Sequence, residues 1–445
     1  MTTKETTMSN FLLDFRIALR SLFQHRRRTI FLVGAIACVT SLLVLLNALS
    51  TGVSETMIRA ATTLSSGHVN VGGFFKVTSN QCGPVVTEFA KVVKVVEKSV
   101  PEMAHFVHRG RGWAKIISDT GSIQAGVTGI DIKNEPDFKR VITVTSGRIE
   151  DLEQPNTMLV FESQVERLKV RVGDAVTLSA QTNRGAANTV DCRIVVIAKD
   201  MGLMSKFGTF VPIATTRALY QLRPDTTGVI QLYVKPRFVS HAAEIAARLR
   251  GTLEKAGYLL MDADANPFWM KFQTVNREDW TGQKLDVTTW EDEVSFLTWT
   301  LKVISVLKVV LLTILIAIVI TGIMNTMWIA IRERTREIGT LRAIGMQRGG
   351  VLRMFLFESF QMGLIGTVSG ALVGSAIAFA VNAASIKVPL SVQLFLMSDQ
   401  LHLAIHFSAL SQSVIMITAI TTLAALYPAY RAARLPPVSA MSHFG

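Results

Sequence analysis

The side chains that most often bind metals or perform catalysis are dispersed through this sequence. Its eight histidines form no ligand motif, and the closest pair, His105 and His108, is three positions apart. The sequence contains no HExxH, paired CxxC or GxSxG motif, and no GxxxxGKS or GxxxxGKT loop for nucleotide phosphates. We therefore predict no catalytic residue, metal site or cofactor in this chain, and we do not expect it to be an enzyme.

The three cysteines leave two interpretations open. Cys38 lies inside a long uncharged run and is predicted to be a packed, unreactive thiol. Cys82 and Cys192 both lie in the central part of the chain, where they could form a disulfide if that part faces an oxidising compartment. Two separate buried thiols are the alternative.

The most distinctive charged stretch is RERTREIGTLRAIGMQRGG, residues 332–350, which carries five arginines and two glutamates. Ile338, Leu341 and Ile344 recur at helical spacing and predict a short apolar ridge among these charges. Gly345 can end such a helix in a left-handed conformation. We therefore predict a rigid helix whose ridge could dock in a groove on a partner protein.

Long uncharged apolar runs flank this stretch. Four such runs, each at least about 20 residues long, occupy residues 29–49, 309–331, 359–383 and 407–427. As a helix, each can cross the roughly 30 Å of bilayer hydrocarbon. The first is too long and uninterrupted for a cleaved signal peptide, so we predict a retained anchor. No run contains an acidic residue or a histidine, which argues against ion-coupled transport.

Two features of the third run predict contacts with neighbouring helices. Gly366, Gly370 and Gly374 recur every four residues, and such a stripe allows a second helix to approach closely. Glu358 lies at the edge of the run, and we predict that it pairs with an arginine of the preceding loop.

The net charge of +13 is concentrated beside the apolar runs. Residues 51–300 contain 29 Lys and Arg against 27 Asp and Glu, and therefore contribute only +2. By the positive-inside rule, both termini and the 332–353 loop are predicted to be cytoplasmic, with residues 51–300 and the 384–406 loop outside. The basic charge thus indicates orientation in a lipid membrane, and we predict no binding to nucleic acid.

The long segment after the first run mixes strand and helix patterns. VGDAVTLSAQ and TVDCRIVVIA predict a hairpin, and HAAEIAARLRGTLEKAGY predicts an amphipathic helix that ends at Gly257. We therefore predict an α+β domain over residues 66–285, flanked by outer stalk helices at 50–65 and 286–308. Residues 11–23 predict an amphipathic helix in the membrane interface, or alternatively a continuation of the first span.

Together these features resemble the ABC transporter permeases of the FtsX, MacB and LolC/LolE type, the type VII or mechanotransmission family. The resemblance is carried by ERTREIGTLRAIG with Glu358 downstream, by YPAYRAARLPPVSAM near the chain end, and by one span, a large external domain and three further spans. It implies that the charged helix couples the chain to an ATPase. The implied coupling residues are Glu333, Arg336, Glu337, Ile338, Gly339, Leu341, Arg342, Ala343 and Gly345.

The resemblance also implies an architecture: a membrane protein with four transmembrane helices and a large α+β periplasmic domain, a MacB-like periplasmic core, inserted between helices 1 and 2. The implied domains are a cytoplasmic tail (1–28), TM1 (29–49), a stalk helix (50–65), the periplasmic domain (66–285), a second stalk helix (286–308), TM2 (309–331), the coupling loop (332–354), TM3 (355–383), a short periplasmic loop (384–406), TM4 (407–428) and a cytoplasmic tail (429–445).

The implied function is to transmit ATP-driven motion across a bacterial inner membrane. A separate cytoplasmic ABC ATPase dimer would bind ATP and Mg²⁺, and a second permease copy or paralogue would complete a dimer. The expected role is lipoprotein release, assisted by a periplasmic lipoprotein carrier. One alternative is MacB-like efflux with a periplasmic adaptor and an outer-membrane duct. Another is FtsX-like regulation of a cell-wall hydrolase, against which the large external domain argues.

Overall fold

The computed structural model describes residues 26–78, 81–389 and 400–434, together with Arg20, Gln393 and Pro436 as single residues. Two compact units emerge from its contacts. The helical unit comprises residues 1–54, 302–387 and 400–445, and the α/β unit comprises residues 55–301 and 388–399. The amphipathic helix predicted over 11–23 and most of the predicted C-terminal tail lie outside the described residues.

The described helices, in chain order, are α1 (Arg26–Leu64), α2 (Phe89–Ser99), α3 (Pro136–Val141), α4 (Glu162–Leu168), α5 (Gly202–Phe207), α6 (Ile213–Tyr220), α7 (Ala242–Lys255), α8 (Phe268–Arg277), α9 (Trp290–Glu293), α10 (Ser295–Glu333), α11 (Thr335–Ala343), α12 (Arg348–Ala383) and α13 (Phe407–Ala433). The described strands are β1 (Val69–Thr78), β2 (Gln81–Gly83), β3 (Met103–Ile117), β4 (Ser122–Ile130), β5 (Val144–Gly147), β6 (Thr157–Phe161), β7 (Ala175–Gln181), β8 (Ala187–Ala198), β9 (Gly208–Pro212), β10 (Val229–Val234) and β11 (Gly282–Thr289).

Four described helices, α1, α10, α12 and α13, are long and apolar enough to cross a membrane, with mean hydropathies from 1.7 to 3.1. They correspond to the four apolar runs, which confirms the predicted helical membrane class. Their shared core contains Ile36 of α1, Met327 of α10, Phe355 of α12 and Ile417 of α13. Since lipid is as apolar as these side chains, close packing is what holds such helices together.

One predicted boundary needs correction. The second stalk helix was predicted from residue 286, but residues 286–289 belong to β11, which pairs with β1. Val287, Thr288 and Thr289 are three consecutive β-branched residues, which favour a strand, and helical spacing begins only at Trp290. The predicted 332–354 loop contains α11 and the start of α12, which begins at Arg348. Gly349 and Gly350 lie in its first turn, where the helix tolerates them.

The first part of the α/β unit is an antiparallel sheet with the strand order β11-β1-β10-β3. Along the chain these strands alternate with two helices as β1-α2-β3 and β10-α7-β11, which is the ferredoxin-like arrangement. The amphipathic helix predicted around Ala242–Lys255 is α7, and it packs against β1 and β11. The helix ends just before Gly257 as predicted, and Gly257 has a φ of +88°.

The second part of the α/β unit is a ring of strands. Among the described strands, β3 pairs with β4, then β9, β6, β8 and β7 follow, and β7 pairs again with β3. The predicted hairpin is β7–β8. The long strand β3 belongs to both parts, because Met103–Arg109 pair with β10 and Gly110–Ile117 pair with β4.

The disulfide between Cys82 and Cys192 is not formed, and both cysteines are free thiols. Cys82 lies on β2, where its Sγ donates a hydrogen bond to Oδ1 of Asn276 at 3.0 Å. Cys192 lies on β8 and is buried among the apolar side chains of the strand ring. The two side chains therefore belong to different hydrophobic clusters, and the disulfide alternative is wrong.

Candidate functional site

The helix α11 connects α10 to α12 and is the charged helix predicted from the sequence. It ends in a Schellman motif, in which the amide of Gly345 donates to the carbonyl of Arg342 at 3.2 Å and the amide of Met346 donates to that of Leu341 at 3.0 Å. Gly345 has a φ of +109°, a conformation that other residues rarely adopt. The glycine stop therefore sets the angle at which the chain enters α12.

The predicted apolar ridge of α11 is divided between two faces. Ile338 is 1% exposed and belongs to the core of the helical unit, so it is not available for docking. Gly339 beside it is buried, and Leu341 is half-buried. Ile344, by contrast, is 79% exposed. The ridge was wrong as a single surface, because helical spacing alone does not show which apolar residue the remaining helices cover.

The exposed stripe of α11 consists of residues that recur at helical spacing on the uncovered face, together with Glu333 at the end of α10: Arg336, Glu337, Thr340, Ala343, Ile344 and Glu333. It combines charges of both signs with one large apolar side chain. Such a surface can form ion pairs at its rim around a buried apolar contact, which is the usual composition of a protein interface.

Two side chains join α11 to its neighbours. Nη1 of Arg334, just before α11, donates to Oε2 of Glu358 on α12 at 3.1 Å, and both side chains are buried. The predicted pairing of Glu358 with an arginine is thereby confirmed. At the other end of α11, Nη1 of Arg342 donates to the carbonyl of Ala433 in α13 at 3.4 Å. A displacement of α11 would therefore act directly on α12 and α13.

The glycine stripe of α12 faces α1. A β-carbon at Gly366 would lie 2.8 Å from Cβ of Ile36, and one at Gly370 would lie 2.4 Å from the carbonyl oxygen of Ala37. At Gly374 the corresponding distance to the carbonyl oxygen of Ser41 is 3.0 Å. Only hydrogen fits at the first two positions, so the stripe allows the two helix backbones to approach closely.

The C-terminal end of α1 is held by side chains of the α/β unit. Arg109 on β3 donates to the carbonyls of Thr63 and Leu64, at 2.8 and 3.0 Å. Two residues of β10 complete the arrangement: the hydroxyl of Tyr233 donates to the carbonyl of Thr62 at 3.0 Å, and Nε2 of Gln231 donates to that of Ser65 at 3.0 Å. These donors satisfy carbonyl groups that a helix end leaves unpaired. We call this arrangement the α1 anchor.

The charge of Arg109 is balanced by Glu135. Its Nε donates to Oε1 of Glu135 at 2.9 Å, a second hydrogen bond joins Nη2 to Oε2, and both side chains are almost fully buried. Burial acts to lower the pKa of Arg109, but the charge and hydrogen bonds of Glu135 oppose it, and the pKa lies above its usual value. The guanidinium therefore remains charged, which strengthens its hydrogen bonds to the helix end.

A second arginine on the same strand holds the segment that precedes α10. Nη1 of Arg111 donates to Oε1 of Glu293 at 3.3 Å, and Thr288 donates to the same oxygen at 2.9 Å. Glu293 ends the short helix α9, which Thr289 and Asp292 begin as a capping box. Arg109 and Arg111 are two positions apart on β3 and thus lie on one face of it.

The arginines on β3 were missed by the sequence analysis. Their spacing in HRGRGW would have indicated two basic side chains on one strand face. Nothing local indicates that this face is buried or which carboxylates lie beside it. Among the described residues, no group of His, Cys, Asp or Glu is arranged to bind a metal ion. His105 instead stacks on Tyr233, with ring centroids 4.6 Å apart.

Two protein-family models match this chain, and together they include parts of both units. The model of the MacB-like periplasmic core domain matches residues 30–252, half of the chain, and the model of the FtsX-like permease C-terminal region matches residues 309–437. The chain belongs to the FtsX- and MacB-like family of ABC transporter permeases. The resemblance seen in the charged helix and the chain end is thereby confirmed.

Individual relatives cover parts of the chain. It is 40% identical over 121 residues to the macrolide export ATP-binding/permease protein MacB of Nitrobacter winogradskyi, covering 27% of this chain and 17% of that protein. It is 24% identical over 163 residues to the lipoprotein-releasing system transmembrane protein LolC of Xylella fastidiosa, covering 35% and 40%. The chain thus spans less than half the length of these relatives. The solved periplasmic region of MacB from Actinobacillus actinomycetemcomitans aligns at 11% identity and a TM-score of 0.28, covering 52% of this chain and 92% of that one.

Proposed function

We propose that this permease transmits the motion of a separate cytoplasmic ABC ATPase to its α/β unit, which lies in the periplasm. In this proposal both termini are cytoplasmic, and an ATPase dimer that binds ATP and Mg²⁺ contacts the exposed stripe of α11. A second permease copy or a paralogue completes the complex. The observation that carries the proposal is the combination of an exposed stripe on α11 with buried contacts from α11 to the rest of the helical unit.

The route of transmission follows from contacts within each unit. Displacement of α11 acts on α12 through Arg334 and Glu358, and α12 meets α1 through the glycine stripe. The helix α1 continues without a break to Leu64, where Arg109 holds its end. Likewise, α10 begins two residues after Glu293, which Arg111 holds. A continuous helix changes little in length under load, so motion at one end of it is carried to the other.

The cargo we propose is a lipoprotein of the inner membrane, released to a periplasmic carrier. Support comes from the LolC relative, whose match covers a larger share of both chains than the MacB match quoted above. The absence of charged residues from the four apolar runs agrees with work done outside the membrane, because a polar solute crossing it would need polar groups along its path.

Efflux with a periplasmic adaptor is the second candidate, and the higher identity to MacB proteins favours it. Purification of the complex from its native membranes, followed by mass spectrometry, separates the two. A second permease with bound lipoproteins supports lipoprotein release. Copurification of an adaptor and an outer-membrane duct without lipoproteins would support efflux and overturn lipoprotein release.

The coupling role is tested by Ile344→Asp. Its side chain is 79% exposed, so the substitution leaves the core intact, whereas a carboxylate in the centre of an apolar contact disfavours ATPase binding. We expect about a tenfold or larger loss of copurified ATPase, equivalent to about 1.4 kcal/mol of binding free energy or more.

The matched control is Leu259→Asp, which places the same change at a 63% exposed leucine of the α/β unit. It should leave the copurified ATPase unchanged. If the Ile344→Asp variant copurified with as much ATPase as the Leu259→Asp control does, α11 would not be the coupling element.

A further inference from the structure

A cavity of about 390 Å³ opens in the α/β unit where the sheet meets the strand ring. Its volume lies in the range of sites for small organic molecules. Six of the residues that line it are aromatic, and their rings come from five elements: Trp113, Phe161, Phe207, Phe210, Phe268 and Trp269. The transmission route described above does not use these rings.

Several of these rings are exposed although they are large and apolar. Phe207 is 52% exposed, and Trp113 and Trp269 are each 41% exposed. Exposed aromatic side chains that surround one concavity lose unfavourable contact with water when an apolar molecule enters it. The rings are thus arranged to contact a ligand.

Polar groups at the cavity wall carry hydrogen-bonding capacity that the described residues leave unused. Oε1 of Gln231 is buried and has no hydrogen-bond partner among them. Nη2 of Arg111 lies 3.2 Å from Oε1 of Glu293 as an ion pair, but it makes no hydrogen bond within the described residues. Both atoms are buried in residues that line the cavity, and each is desolvated at a cost unless something pairs with it.

The charge of the wall favours a neutral ligand. The Arg111 guanidinium is compensated by Glu293, and the Arg109 guanidinium, which also lines the cavity, is compensated by Glu135. A charged ligand would have to be desolvated without a net opposite charge to meet it. A neutral group that carries both a donor and an acceptor, such as an amide, matches what is present.

Gly126 keeps the cavity open. It lies on β4 opposite Trp113 of β3, and its position lines the cavity. A β-carbon at Gly126 would meet only the carbonyl oxygens of Phe207 at 3.4 Å and Gly112 at 3.9 Å, which are ordinary contacts. A larger residue is thus sterically tolerated by the backbone, and its side chain would occupy the space that the glycine leaves empty.

We propose that this cavity is a binding site for a neutral amphipathic small molecule, with an apolar body against the aromatic rings and an amide-like group paired with Arg111 and Gln231. This inference stands apart from the proposed function, since it requires neither a particular cargo nor the ATPase.

Photolabelling of the full chain in lipid nanodiscs tests the proposal. The probe is a medium-chain fatty amide that carries a diazirine, and peptide mass spectrometry locates the label after irradiation. We expect labelled peptides that contain Trp113, Phe207 or Trp269, and we expect excess unlabelled amide to suppress this label. A hydrocarbon probe without the amide should require about tenfold higher concentration, since it leaves both polar groups unpaired.

Gly126→Leu fills the cavity and should reduce the label in these peptides by about tenfold. Gly251→Leu is the matched control, because it lies on α7 with open space around its β-carbon position and should keep the label. Label confined to the apolar helices would overturn the proposal, as would label in these peptides that excess amide does not suppress. The competition measurement uses the unaltered chain and stays decisive if Gly126→Leu does not fold.

Discussion

In the helical unit, α12 approaches α1 through three glycines, whereas in the α/β unit three side chains donate to four carbonyls at the end of α1. The first contact depends on small size and the second on charge and hydrogen bonds. Both engage the same continuous helix. The two contacts therefore hold α1 by different forces, one along residues 33–44 and the other at its C-terminal end.

The difference follows from the surroundings of each contact. Within a membrane, burial of apolar surface gives little driving force, so helices associate where small residues allow many van der Waals contacts. In the α/β unit, burial from water supplies the main driving force, and buried polar groups are tolerated only when paired. Arg109 meets this condition with Glu135 and the carbonyls of Thr63 and Leu64. A glycine stripe resists compression, while an ion-paired anchor also resists separation.

The largest expected effect is on the anchor. Glu135→Ala leaves Arg109 buried without its counter-charge, which should lower the free energy of unfolding of the α/β unit by about 3–5 kcal/mol. Urea unfolding of the full chain in detergent, followed by tryptophan fluorescence, measures this loss.

The matched control for the anchor is Glu153→Ala. Glu153 pairs with Lys133 at 3.4 Å, and the lysine side chain is 68% exposed, so its loss should cost less than about 1 kcal/mol. Equal effects of the two substitutions would show that the Arg109–Glu135 pair contributes no more than a surface pair, and the comparison between the two contacts on α1 would fail.

The next effect is on the glycine stripe. Gly370→Leu forces a side chain toward the carbonyl oxygen of Ala37, and overpacking of this kind should cost about 1–3 kcal/mol. Gly322→Leu on α10 is the control, because no atom lies within 4 Å of its β-carbon position, and it should change stability by less than about 0.5 kcal/mol. Thermal unfolding in nanodiscs compares the two. A neutral Gly370→Leu would mean that α1 and α12 do not depend on close approach.

A change in pH is expected to have a smaller effect on stability, and this effect concerns the α/β unit alone. Burial and the nearby His105 lower the pKa of His68 below 6.5, and Asp137 opposes them only in part. Nδ1 of His68 accepts a hydrogen bond from the amide of Val234 at 3.1 Å, which requires the neutral ring.

Because the folded-state pKa is depressed, the unfolded chain binds the proton first as pH falls below 6.5. The contribution of His68 to stability is therefore complete above pH 6.5 and is lost as pH falls toward the folded-state pKa. His68→Gln should flatten this decline in urea unfolding series. It should not abolish it, since burial also lowers the pKa of His108. If the free energy of unfolding of the His68→Gln variant depended on pH as that of the unaltered chain does, His68 would not contribute to the pH dependence of stability.

The smallest effect concerns the thiols. Burial raises the pKa of Cys192 to about 12, so alkylation in the folded protein should reach the half-buried Cys82 well before Cys192. Both should react after unfolding without a reductant, as counted by mass spectrometry. If reductant were required, a disulfide would hold the α/β unit together where we assign that role to packing and ion pairs.

Local patterns were sufficient wherever a segment determines its own structure. The β7–β8 hairpin, the α7 helix with its stop at Gly257 and the left-handed Gly345 all follow from residues within a few positions of each other. The start of α10 was predicted too early, because residues 286–289 are committed to β11 by pairing with β1, more than 200 positions earlier. Such pairing has no local signal.

By itself, the sequence determined the four apolar helices, the charged helix between two of them and the glycine stripe, since length, charge and spacing are properties of single segments. Only the tertiary structure decided that Ile338 is buried while Ile344 is exposed, and that Arg109 meets Glu135 and the end of α1. The partners of Arg109 lie 26 and 45 positions away along the chain. Their meeting depends on how strands and helices pack, which spacing in the sequence does not encode.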